Sequence, residues 1–289
     1  MQTKKDIQAL LAEAGAGPNK RLGQCFLIDL NLMRKLLETA ALTGDETVLE
    51  VGPGTGSLSE ELIERAGRVV TVELDKALAA LLRKRFAAED RLTLIEGDAL
   101  AGKHAISPAV LQAVAPRARL VANLPYNIAT PLVAECLLQS YHSLAGQGVR
   151  FDSLAFTVQE EVARRLVARE GRDYGQVSVM VALLGRAKLG SFVPKTAFWP
   201  VPKVDSRVVR IDFDEERAGR IGNIGLLRRV LEMAFTQRRK SILATSKARN
   251  APVSHDQLTA ALQSAGIDPA ARADHVAPEE YLRLVRELG

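Results

Sequence analysis

The sequence is poor in the features that mark secreted, membrane-bound or metal-held chains. Its 289 residues include two cysteines, Cys25 and Cys136, too few for a disulfide framework or a cysteine-ligated zinc site. No metal is expected. No stretch reaches the ~18 uninterrupted apolar residues of a membrane span, so no membrane partner is expected either. The opening MQTKKDIQALLAEAGAG is amphipathic and carries Asp6 and Glu13. It lacks the compact apolar run and cleavage site of a secretory signal. Internal repeats and low-complexity tracts are also missing. These absences leave a cytoplasmic, globular protein as the expectation, long enough for one large domain or a large and a small one; a monomer is also expected.

What is present begins with charge. A formal net charge of +5 and a pI near 9.3 favour an acidic partner only weakly. The distribution says more. Between Leu226 and Asn250 lie Arg228, Arg229, Arg238, Arg239, Lys240, Lys247 and Arg249, opposed by Glu232 alone. Lys20 and Arg21, with Arg34 and Lys35, flank GQCFLIDLNLM in a second cluster. A solvated helix face is the usual fate of such runs. So one-sided a surplus on a short segment favours phosphate binding instead, with Lys20, Arg21, Arg238, Arg239 and Lys240 as the candidate contacts, to RNA if the partner is a nucleic acid.

From about Asp45 to Val158, apolar runs alternate with helical patterns. TVLEV (47–51), RVVTVEL (68–74), LTLIEG (92–97), RLVAN (119–123) and SLAFTV (153–158) predict buried strands. SLSEELIERA (57–66) and KALAALLRKRFA (76–87) carry apolar residues at helical spacing. This alternation predicts an α/β fold, a mostly parallel sheet with helices on both faces. AKLGSFVP and VDSRVVRIDF predict two further strands across the TAFWPVPK turn. From about residue 215 the chain reads as all-helical, giving expected domains of 1–214 and 215–289. In the second, APEEYLRLVREL opens with Pro278, Glu279 and Glu280, suited to a helix N-terminus.

VLEVGPGTGS turns the chain from the first of these strands through Gly52, Pro53, Gly54, Thr55 and Gly56 into a helix. Glycines there allow a tight turn and close approach of a ligand to the backbone. The spacing is G-x-G-x-G, whereas the dinucleotide fingerprint is G-x-G-x-x-G. Glu73, 21 residues beyond Gly52, has the chemistry to accept hydrogen bonds from both hydroxyls of a ribose. Asp98 in EGDAL suits an adenine amino group. Either carboxylate alone reads more simply as an exposed turn residue. Taken with Gly52 and Asn123 they fall at four successive strand ends, where open α/β sheets bind ligands. That is a nucleoside site, and S-adenosylmethionine is a nucleoside with an amino-acid tail.

The strand ending at Asn123 continues into Leu124-Pro125-Tyr126. An adenine amino nitrogen is a poor nucleophile because its lone pair is delocalised into the ring. Acceptors for its hydrogens draw it toward tetrahedral geometry. The Asn123 side-chain oxygen and the Leu124 carbonyl are neutral acceptors of that kind, and Pro125 fixes the backbone between them and the next residue. Tyr126 is suited to stack on an extruded base. Catalysis would rest on positioning and fixed dipoles. The competing reading is a plain β-turn.

Several longer stretches carry a resemblance: KRLGQCFL, LEVGPGTGSLS, NLPYNIATP, VQEEVARRL, YGQVSVM, FWPVPKVDSRVVR, FTQRRKSI and GIDPAARAD. With them the chain resembles the bacterial small-subunit ribosomal RNA adenine dimethyltransferases over almost its whole length. The resemblance implies a Rossmann-like class I methyltransferase sheet with a small all-helical C-terminal domain. It also implies two methyl transfers from S-adenosylmethionine to each of two adjacent adenines near the 3′ end of small-subunit ribosomal RNA, within an immature subunit. By family motif, Leu27, Gly52, Gly54, Glu73, Asp98 and Asn123 would contact the cofactor. Asn123, Leu124, Pro125 and Tyr126 would hold the target, with Phe198 as the opposite stacking face. Phe198 and Trp199 also read as core aromatics, and Trp199 is assigned so. Cys25 stands where the family usually has Asn. A thiol hydrogen-bonds poorly, so a modest effect on cofactor affinity is expected. The rival readings are a large-subunit adenine methyltransferase of the macrolide-resistance kind, a non-catalytic ribosome-assembly factor, and a small-molecule methyltransferase.

Overall fold

In the computed structural model, which describes residues 1–19, 22–102, 105–247 and 251–289, the buried apolar runs become strands. They are β1 (Phe26–Leu27), β2 (Thr47–Val51), β3 (Arg68–Glu73), β4 (Leu92–Glu96), β5 (Arg117–Asn123), β6 (Arg150–Gln159), β7 (Gly185–Val193), β8 (Phe198–Trp199) and β9 (Ser206–Phe213). Seven form one sheet in the order β4-β3-β2-β5-β6-β9-β7. Pairings from β4 through β6 are parallel, and β9 runs antiparallel to β6. β1 and β8 make a separate antiparallel pair, with Leu27 opposite Phe198.

Successive side chains on a strand face opposite ways. Val48, Leu49, Val69 and Val70 are nevertheless all 0% exposed, so both faces of the sheet's centre are covered. Helix Leu30–Ala40 supplies Met33, Leu36 and Leu37 to one core, with Leu58 and Leu62 from helix Ser57–Arg65 and Val48 and Val121 from the strands. Each such side chain contributes about 1.5–3 kcal/mol by leaving water. Asp29 starts the first of these helices by accepting the amides of Asn31 and Leu32, at 2.9 and 3.1 Å.

The chain leaves β2 toward β3 and β4, then returns to place β5 on the other side of β2. The strand order therefore reverses between β2 and β5. Ligands of open α/β sheets sit in the crevice at that point, beyond the carboxyl ends of the strands. Gly52 and Asn123 are the residues found there.

The chain divides into two compact units: residues 1–163 with 187–213, and residues 164–186 with 214–289. The sequence pattern started the helical part at 215, and the structure adds 164–186 to it. The cause is helix Gln176–Leu184, in which every residue after Gln176 is buried, and which packs on helices Glu215–Gly219, Ile224–Thr236 and Pro278–Leu288. A helix buried on every side has no solvent face to spare. Around this helix, Phe235 lies between the rings of Tyr174 and Tyr281, at centroid distances of 5.8 and 6.0 Å. Pro278 occupies the first turn of its helix, as expected. Among the described residues no helix is long and apolar enough to cross a membrane.

Candidate active site

The glycine turn after β2 needs glycine at each of three positions. Gly52, Gly54 and Gly56 have φ of +74°, +62° and +86°, a region where a Cβ crowds the backbone. A Cβ on Gly52 would lie 3.0 Å from Pro125 Cγ, and one on Gly54 2.9 Å from the Phe26 ring. The turn that follows β2 thus touches the Asn123–Tyr126 loop directly.

Other residues hold the turn from behind. Glu73, 4% exposed at the end of β3, accepts the Gly54 amide at 3.1 Å and the Asp75 amide at 2.9 Å. Burial pushes its carboxyl pKa up against those two bonds. The Gln2 side chain donates to the Thr55 carbonyl at 3.2 Å and accepts from the Thr55 hydroxyl at 2.6 Å, and Arg85 also donates to that carbonyl.

At the end of β5, the Asn123 amide donates from Nδ2 to the Cys25 carbonyl at 3.1 Å, and its Oδ1 accepts from the Thr157 hydroxyl. Leu124 lines the cleft and is 2% exposed as a whole residue. Among the described residues no hydrogen bond claims its carbonyl oxygen. The Tyr126 hydroxyl lies 2.9 Å from Ser206 Oγ, and burial raises its pKa. Asp98 accepts the Leu100 amide at 2.9 Å with one oxygen, leaving the other for a ligand.

Cys25, Leu27, Gly52, Gly54, Glu73, Asp98, Asn123, Leu124, Pro125 and Tyr126 line one cleft. The cleft is open to solvent, and its space with the mouth included is about 1180 Å³. A buried carboxylate, a turn with glycine at alternate positions and the Asn123–Tyr126 loop meet at the strand-order reversal. The residues fit S-adenosylmethionine.

The sequence model of the family "Ribosomal RNA adenine dimethylase" matches residues 16–289. The chain is 35% identical over 285 residues to the "Ribosomal RNA small subunit methyltransferase A" of Moorella thermoacetica, covering 97% of this chain and 96% of that protein. The chain belongs to the ribosomal RNA adenine dimethylase family. A dimethyladenosine transferase from Plasmodium falciparum superposes with a TM-score of 0.69 at 23% identity, over 89% of this chain and 94% of its own. The 23S rRNA methyltransferase ErmE superposes with a TM-score of 0.61 at 28% identity, over 91% and 99%. The fold is therefore the Rossmann-like class I methyltransferase sheet with a C-terminal helical region.

The structure redistributes the remaining expected contacts of this adenine dimethylase-family chain. Phe198, expected as a stacking face for the target base, is 1% exposed and sits in the core with Leu27, Leu36 and Val193. Pairing of β8 with β1 turns it inward. Arg238, expected on RNA, donates to the carbonyls of Arg172 and Tyr174 at 2.9 and 2.8 Å and lies 3.9 Å from Asp274. These bonds hold it on the helical unit while its side chain stays 42% exposed. Arg239 and Lys240 are exposed in the same turn, which ends helix Ile224–Thr236 and separates it from Ile242–Thr245. Lys20 and Arg21 lie outside the described residues. Trp199, assigned to the core, packs against Phe26 at its rim, ring centroids 6.3 Å apart.

The sequence reading missed Glu50, Thr157 and Ser206. Glu50 lines the cleft at 2% exposure and accepts the Ser59 hydroxyl at 2.6 Å. Burial, reinforced by the charge of Glu73, pushes its pKa up to about 8 despite that bond. A signal existed for Glu50 and Thr157, since a polar residue inside an apolar run is a buried group that needs a partner; Ser206 opens a strand that also holds Arg207, Arg210 and Asp212 and carried no such mark.

Proposed function

We propose that this protein transfers methyl groups from S-adenosylmethionine to the N6 amino groups of two adjacent adenines near the 3′ end of small-subunit ribosomal RNA, forming N6,N6-dimethyladenine within an immature small subunit. The observation that carries this reading is the pair of neutral oxygens at the end of β5. Asn123 and Leu124 line the cleft, and Pro125 beside them packs on the Gly52 turn; their oxygens would be the acceptors. S-adenosylmethionine supplies a methyl group on a sulfonium centre. Glu73 would receive the ribose hydroxyls, Asp98 the adenine amino group, and the Gly52–Gly56 turn the amino-acid end. Cys25 would act there through its backbone, its carbonyl already engaged by Asn123.

Asn123 and Leu124 would accept the two hydrogens of the target amino group and aim its lone pair at the methyl. Amide and peptide oxygens suit this task because they stabilise developing positive charge without holding a full charge of their own. Tyr126, tethered through Ser206, presents a ring for the extruded base. Phe198, packed on the cleft-lining Leu27 and Leu36, would have to turn toward the cleft to act as the second wall for that base. The helical unit would bind RNA, with exposed Arg239 and Lys240 meeting phosphates.

The test is methylation of purified small and large ribosomal subunits by the wild type and Asn123→Ala, read by mass spectrometry of the RNA. Dimethyladenine is expected in small-subunit RNA alone, with the rate in Asn123→Ala lower by about 100-fold or more, the range of a lost transition-state acceptor. Label confined to large-subunit RNA would place the chain with large-subunit methyltransferases instead. A near-normal rate in Asn123→Ala would remove the amino-group clamp.

A further inference from the structure

We infer that Thr157 is a positioning residue that fixes the orientation of the Asn123 carboxamide for methyl transfer, a role that rests on the methyl-transfer reading of the cleft. Parallel pairing of β5 with β6 sets Asn123 beside Thr157. Thr157 is 0% exposed, and its hydroxyl donates to Asn123 Oδ1.

The direction of that bond follows from the other end of the amide. The Cys25 carbonyl has no hydrogen to give, so the atom facing it at 3.1 Å must be Nδ2. Oδ1 then faces Thr157, and an amide oxygen only accepts, so the hydroxyl is the donor. A flipped amide would set two carbonyl oxygens against each other at Cys25. One side chain is thus gripped by an acceptor at its nitrogen and a donor at its oxygen.

An amide oxygen has two lone pairs. Thr157 takes one and fixes the direction of the other, which remains for a hydrogen of the incoming amino group. Without the hydroxyl the carboxamide is held only at Nδ2 and swings about its Cβ–Cγ bond. The acceptor leaves the line of attack, while Glu73, Asp98 and the glycine turn stay in place. Turnover should suffer and cofactor binding should not.

The experiment compares Thr157→Val, which keeps the shape and removes the hydroxyl, with Thr157→Ser, which keeps the hydroxyl. Single-turnover methylation of small-subunit RNA is measured beside calorimetric S-adenosylmethionine affinity and thermal melting. In Thr157→Val, kcat is expected to fall about tenfold, since displacements approaching 1 Å in a reactive geometry cost up to ~100-fold. Cofactor Kd and KM for RNA should stay within about twofold, and serine should restore the rate. Should valine not be tolerated, serine against alanine at position 157 makes the same comparison. Wild-type turnover without the hydroxyl overturns the role. So does a serine variant as slow as valine with cofactor affinity lowered in both, because that pattern belongs to packing. Asn123→Ala separates the two levels: an inactive Asn123→Ala beside a fully active Thr157→Val removes Thr157 and leaves the clamp standing, whereas an active Asn123→Ala removes both.

Discussion

Gly52→Ala tests whether the cofactor turn and the catalytic loop form one mechanical unit. The substitution does two things. It places a non-glycine residue at φ +74°, a conformation that costs an L-residue about 1–2 kcal/mol. It also sets a methyl 3.0 Å from Pro125 Cγ, where carbon atoms prefer about 3.5–4.0 Å. If the turn relaxes away from its ligand-binding shape, binding must restore the strained form. S-adenosylmethionine affinity should then fall roughly 5- to 30-fold, at about 1.4 kcal/mol per factor of ten. If Pro125 yields instead, by roughly half an ångström, the Leu124 carbonyl moves with it and turnover falls about tenfold. Either route lowers kcat/KM, by roughly 5- to 30-fold through binding or about tenfold through turnover. Calorimetry reads the first and single-turnover methylation the second. Gly15→Ala is the control, since Gly15 has φ +60° but nothing within 4 Å of the place its methyl would take. It should lose stability and keep both binding and turnover. A Gly52→Ala protein that melts earlier yet binds and reacts within about twofold of wild type, inside the range of ordinary surface substitutions, would refute the coupling.

Two further outcomes follow from charge. Glu50, pushed up to about 8 by burial from an ordinary 4.5, keeps its proton in the fold while the unfolded chain loses it. Its contribution to stability is therefore complete below about 4.5 and declines as pH rises through about 8. The melting temperature of Glu50→Gln should gain steadily on wild type across that window, with Glu73 supplying a remaining slope, and parallel curves would show that Glu50 is ionised in the fold. Arg238→Ala should cost the helical unit ~1 kcal/mol, because two well-formed bonds to carbonyls are lost from a group that is still partly exposed. Arg239→Gln with Lys240→Gln should leave melting unchanged, weaken RNA binding and reduce its salt slope by about 1.5. Equal melting losses in both variants would mean the whole turn serves folding.

Periodicity and glycine placement in the sequence determine the alternating strands and helices, the turn at Gly52, and the placing of Glu73, Asp98 and Asn123 at strand ends. These are local properties: a strand's burial, a turn's backbone and a carboxylate at a strand's end are written in neighbouring residues. The sequence also carries the family likeness, through stretches long enough to be specific together. What only the tertiary structure decides is which partner each group meets. Phe198 reads equally well as a wall of the site or a piece of the core until β8 pairs with β1 and turns it inward. Arg238 and Arg239 are adjacent and chemically identical, yet one is drawn onto the carbonyls of residues 172 and 174 while its neighbour faces water. Residues 164–186 join the helical unit because a helix with apolar residues on every side must be enclosed, and its covering comes from the far end of the chain. Thr157 shows the same dependence: parallel pairing brings it to Asn123 across 34 residues of sequence. Hydrogen bonds and burial are settled by proximity in space, and proximity between distant segments exists only once the sheet has formed.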